Sequence, residues 1–108
     1  MSDKYVLDAD GNPQECGDLA TWGKFMENRD ARRVGLEMIE GVKVSTVFLG
    51  VDHSWDGPPP LVWESMVFGG PLDQEQERCS GNKANAIVMH AAMVAKVKES
   101  QVKTESAQ

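Results

Sequence analysis

The sequence predicts an α+β domain of two layers, a mainly antiparallel sheet in the order β-α-β-β-β-α with helices on one face. Three observations carry that expectation. Glu40-Gly41 joins two β-prone runs, 32–39 and 42–49, as Asp-Gly and Asn-Gly do in two-residue hairpins. A third apolar run, 61–68, follows a loop closed by Pro58, Pro59 and Pro60. The last element, KANAIVMHAAMVAKVKE, repeats its apolar residues at helical spacing and holds no breaker. Helices laid on one face of such a sheet give the two-layer architecture.

Taken in order, residues 4–10 form a short strand, with Tyr5 and Leu7 on one side and Val6 on the other. Gly11-Asn12-Pro13 supplies a turn, and the proline stops the ladder. Asp18 is a good N-cap for a first helix that buries Leu19, Trp22, Phe25 and Met26; the polar run 27–30 ends it. In the hairpin, Ile39 opposite Val42 sets Leu36 opposite Ser45 and Val34 opposite Val47. The second hairpin strand is apolar on both faces, as a central strand buried on both sides would be. In the third strand Val62, Met66 and Phe68 oppose Leu61, Trp63 and Val67, and Glu64 projects among the first set. Gly69-Gly70-Pro71 breaks it, the acidic run 73–77 reads as a solvated loop, and 77–79 reads as a brief edge strand or a lead into the helix. That helix, 83–98, is capped at Ser80 or Asn82 and carries Ala86, Ile87, His90, Met93, Val94 and Val97 on one arc. Residues 1–99 form a single domain and 100–108 a flexible tail.

At 108 residues the chain can bury one core and no second one. The net charge of −6 argues against a direct nucleic-acid ligand, because such ligands are held by lysine and arginine neutralising phosphates. No apolar run approaches a membrane span, and the first residues lack an apolar signal region, so a protein that stays in the cytoplasm is expected. Cys16 and Cys79 are too few for a disulfide framework and stand in no CxxC, so both read as ordinary thiols.

Candidate site residues concentrate in the loop after the second hairpin strand. Asp52, His53, Trp55 and Asp56 precede the three prolines, which stiffen the chain and lower the entropy lost on binding. Trp55 reads as an exposed anchor; the competing reading folds the loop back so that Trp55 caps the core. His90 sits at the centre of the final helix's apolar arc. It reads as a core histidine bonded to a backbone carbonyl or to a carboxylate such as Glu64, in competition with a general base or metal ligand. A metal site built on His53 and His90 lacks the third and fourth ligands such sites need. Trp22 and Trp63 read as core. No metal and no cofactor is expected.

The segments VSTVFLGVDHSW, PPLVWESMVFGGPLD and RCS…HAAMVAKV resemble a small hypothetical-protein family encoded by tailed phages and prophages. The resemblance spans the chain from KYVLDADGNP to the last helix. It implies a phage gene product working in the cytoplasm of an infected bacterium and supplies no catalytic residue. Similar sequences carry a more aromatic or polar residue where this chain has Cys79, which counts against chemistry there. The expected function is therefore a non-enzymatic phage accessory protein that binds and modulates a host bacterial protein, through Asp52, His53, Trp55, Asp56, Glu64 and His90. Two alternatives stand beside it. One is sequestration of a small nucleotide signal in a pocket lined by His53, Trp55, Trp63 and His90; the other is a hydrolase using His90 or His53. A homodimer is compatible with all three.

Overall fold

A computed structural model describes residues 3–106 and shows an α+β fold in two layers. A hairpin of β1 (Tyr5–Leu7) and β2 (Pro13–Glu15) leads into α1 (Leu19–Met26) and the single turn α2 (Arg29–Arg32). Strands β3 (Arg33–Ile39), β4 (Val42–Phe48), β5 (Trp63–Phe68) and β6 (Gln76–Cys79) follow, and α3 (Lys83–Ser106) closes the domain. The four long-sheet strands lie in chain order, each antiparallel to the next.

Local chemistry explains most boundaries. Asp18 accepts the Ala20 N–H at the start of α1, and Asn28 accepts the Ala31 N–H at the start of α2. Asn82 accepts from the Asn85 N–H at the start of α3. Glu40 and Gly41 both have positive φ, 48° and 85°, as the tight turn between β3 and β4 demands. The hairpin register has Ile39 opposite Val42 and Leu36 opposite Ser45.

Several expectations need correction. Pro13 begins β2 rather than ending the pairing, which an outer strand tolerates because it lacks an obligatory second neighbour. Arg32 belongs to α2, not to a strand, and β5 starts at Trp63. Between Arg33 and Gly35 the ladder carries a bulge, so Arg33 and not Val34 lies opposite Val47. Val34 turns instead to the apolar cluster around Phe48. Strand β4 is central but buried on one face only: Val42, Val44, Thr46 and Phe48 are covered, while Lys43 is exposed and Ser45 and Val47 are half-buried. On α3, Ala86, His90, Met93 and Val97 face the sheet, and Ile87 is exposed. Helix α3 also continues through residues 100–106, where the sequence suggested a tail; Gln101 Nε2 donates to the Ile39 carbonyl at 2.7 Å. Residues 107 and 108 of that expected tail lie outside the described part.

The core has two apolar ends. Phe48, Val62, Trp63 and Ala86 fill one, with Phe25 of α1 meeting Phe48 edge-on at 5.9 Å between ring centres. Val42, Val44, Val67, Met93 and Val97 fill the other. Between them lies a polar band: Thr46 and Ser65, direct partners across β4 and β5, share a hydrogen bond, and Thr46 Oγ1 also meets His90 Nδ1 at 2.6 Å. Leu36, Met38 and Phe68 are exposed on the opposite face of the sheet, away from α3.

Candidate functional site

The loop between β4 and β5 is held firmly at its roots. Leu49 N–H donates to the Val62 carbonyl and His53 N–H to the Leu61 carbonyl, while Tyr5 N–H and Asp52 N–H tie the loop to the N-terminal hairpin. Asp52 then organises the turn itself. One carboxylate oxygen accepts the Ser54 and Leu61 N–H groups at 2.8 and 2.9 Å, and the other accepts the Ser54 hydroxyl at 3.0 Å. An aspartate bonding backbone two residues on is the usual way a short polar side chain replaces a ladder bond in a turn. The Pro58–Pro59 peptide is cis.

On this framework Trp55 is 95% exposed. Asp52, His53, Ser54 and Trp55 line a shallow concavity of about 390 Å³ whose remaining wall is Arg78 of β6. Arg78 Nε donates to Glu64 Oε2 at 2.9 Å, so Glu64 stands behind that wall on the same open face of the sheet. His53 and Asp56 are exposed beside Trp55. Among the expected site residues, then, Asp52, His53, Trp55, Asp56 and Glu64 gather at one corner of the molecule.

His90 does not join them. It lies on the covered face, 9% exposed, and its neighbours are Thr46, Gly35 and Glu37. The carboxylate nearest its Nε2 is Glu37, at 3.7 Å, not Glu64, which the pleat places on the other face. The imagined pocket of His53, Trp55, Trp63 and His90 is therefore not assembled, because Trp63 and His90 are on the helix side and the loop residues are not.

His90, Thr46 and Ser65 form a hydrogen-bonded imidazole–hydroxyl row, with Glu37 3.7 Å from the far side of the imidazole, an order of residue types that resembles those that activate nucleophiles. Thr46 and Ser65 are both fully buried, however, so no substrate atom reaches either hydroxyl. Hydrogen bonds join Ser65, Thr46 and His90 Nδ1 between the two apolar clusters, whereas the buried His90 Nε2 has no hydrogen-bond partner among the described residues and only the Glu37 carboxylate 3.7 Å away. No cluster of three or more metal-ligating side chains occurs among the described residues, and no helix among them is long and apolar enough to cross a membrane. Cys16 is buried, and burial raises the Cys79 thiol above its ordinary value, which leaves less thiolate there.

Sequence reasoning did not foresee Arg78 as part of the loop's concavity. Its signal was the 64–78 register across β5 and β6, which pairs an acid with a base on one face.

The Asp52 carboxyl carries a pH prediction. Burial pushes its pKa up, but the hydrogen bonds from Ser54 and Leu61, with His53 nearby, outweigh burial and hold it below the usual aspartate range. A depressed folded-state pKa contributes order that is complete above the unfolded value of about 3.9 and is lost as pH falls through the lower folded value. Protection of the Ser54 and Leu61 amides, measured against their intrinsic exchange rates, is therefore expected to stay constant from neutral pH down to about 5 and to fall only below about 4. Loosening already at pH 6 would assign the loop's order to another group.

No protein-family model, curated protein or solved structure matches the chain.

Proposed function

We propose that the chain is a non-enzymatic binding protein that seats Trp55 and its neighbours His53 and Asp56 in a complementary pocket of a partner protein. In the phage setting implied by its sequence resemblance, that partner is a bacterial host factor whose activity the binding modulates. The observation that carries the proposal is the indole itself: a 95% exposed tryptophan on a loop pinned by Asp52. Water exposure of so large an apolar ring is unfavourable, and a rigid loop loses little entropy on docking, so burial of this ring in a partner is rewarded twice. Tryptophan is also the side chain most enriched among residues that dominate interface energies. Asp52 supports binding by holding the loop and lines the concavity beside Trp55.

The test is capture of a partner from bacterial lysate, its identification, and measurement of its affinity for the parent and for Trp55→Ala. Truncation is expected to cost at least about 2 kcal/mol of binding, a thirtyfold weakening. Thermal stability should stay within about 0.5 kcal/mol, since the side chain touches no core. Unchanged affinity would move the binding surface elsewhere.

A further inference from the structure

At the β3 edge of the open sheet face, a second concavity of about 290 Å³ is walled by Arg29, Arg32, Arg33 and Lys43 and floored by Leu36 and Val47, with the Ser45 hydroxyl between them. These are four of the 11 basic residues of a chain whose net charge is −6. Among the described residues no carboxylate lies within ion-pair distance of Arg29, Arg33 or Lys43, whereas Arg78 and Lys96 are paired with Glu64 and Glu75. Cations gathered without counter-charges repel one another, and burial together with the charge of Arg29 pulls the Arg32 guanidinium below its ordinary pKa. An anion in the concavity would remove that cost.

Two features of the backbone put the charges there. The β3 bulge turns Val34 into the core and leaves Arg33 at the open-face position opposite Val47. Arg32 is fixed by its own donors, Nε to the Phe48 carbonyl and Nη1 to the Met26 carbonyl, both at 3.2 Å. Arg32 is thus held in place, and the exposed Arg29 and Arg33 bring two further guanidinium forks to the same rim, a geometry that suits phosphate oxygens better than a point charge does.

We propose that this concavity binds a small organic phosphate of mononucleotide size, its phosphate held by Arg29, Arg33 and Lys43 and its ring laid over Leu36 and Val47. The volume is at the lower end for ligand sites, which excludes much larger molecules. A nucleic-acid strand is disfavoured, because beyond the concavity Glu64 and the overall negative charge meet a polyanion with repulsion. The inference is independent of the Trp55 loop, whose concavity is a separate one walled by Arg78.

Titration of the full chain with adenosine and guanosine monophosphates, and separately with inorganic phosphate, at low salt and followed by backbone amide shifts, tests it. Expected are saturable shifts at Leu36, Ser45 and Val47 and an affinity for at least one nucleotide tenfold or more above that for inorganic phosphate. The Arg29→Ala/Arg33→Ala double variant should weaken nucleotide binding at least tenfold. Both side chains are exposed and make no hydrogen bond that folding needs, so its melting should follow the parent. Trp55→Ala should bind nucleotide like the parent. Absence of saturable binding, equal affinity for inorganic phosphate, or indifference to the double variant would each overturn the proposal.

Discussion

Trp63→Ala is expected to bring the domain close to unfolding. Trp63 is fully buried, packs against Phe48 at 5.0 Å between ring centres, and donates its indole N–H to the Gly81 carbonyl at 2.8 Å. Truncating a buried tryptophan costs about 3–5 kcal/mol in lost transfer energy and cavity. The freed Gly81 carbonyl adds to that loss where water does not replace the donor. Small domains hold only about 5–15 kcal/mol in total, so most of the stability goes. Thermal unfolding should fall by about 15 °C or more at the usual sensitivity for this size. Trp63→Phe, which keeps an aromatic ring against Phe48 and leaves a smaller cavity while losing the hydrogen bond, should fall much less. A Trp63→Ala protein melting within a few degrees of the parent would contradict the burial of this ring against Phe48.

Gly35 and His90 should behave as one unit. Gly35 does not have a positive φ, so its backbone does not require glycine. Space does: a Cβ there would stand 2.6 Å from His90 Nε2. The imidazole cannot retreat freely, because Nδ1 is engaged with Thr46. Gly35→Ala is therefore an overpacking change expected to cost about 1–3 kcal/mol. His90→Ala is expected to cost a similar 1–3 kcal/mol through the cavity and the lost hydrogen bond to Thr46. The double variant should lose less than the sum, by about 1 kcal/mol, because removing the ring makes room for the new methyl group. Urea unfolding of the four proteins measures this directly. Strict additivity would separate the two residues and leave Gly35 without an explanation. If His90→Ala instead melted like the parent and lost partner binding, the structural role of the imidazole would fall.

The elements with strong local signals were legible from the chain alone. The Glu40-Gly41 turn fixed the β3–β4 register at Ile39 opposite Val42, and the unbroken run through His90 marked α3. Asp18 marked the start of α1. What escaped depends on choices made between elements. The bulge arises because Val34 gains more from the Phe48 cluster than from a regular ladder, and no local pattern states that preference. Helix α2 has four residues, too few to show a period. The site was legible in part. Asp52, His53, Trp55 and Asp56 declared themselves by composition, but the anchoring role of Asp52 and the wall supplied by Arg78 needed the fold. The helical arc puts His90 on the covered face, but its partner there is the Thr46 hydroxyl and not a backbone carbonyl or Glu64. Thr46 and Ser65 were the missed clue, polar residues at inward positions among Val44, Phe48, Trp63 and Val67.

The two outer strands of the main sheet bear on how the molecule behaves in crowded solution. An unpaired strand edge is a template on which another chain can extend the sheet, and long flat edges lead to fibrils. Strand β3 presents a ladder interrupted between Arg33 and Gly35, with the charged Glu37 further along. Strand β6 has only four residues, two of them the charged Glu77 and Arg78, and the adjoining Glu75 is held by Lys96 from α3. The bulge and the charges on these edges disfavour sheet growth from copy to copy. The exposed Leu36, Met38 and Phe68 thus lie between edges that discourage strand-on-strand pairing.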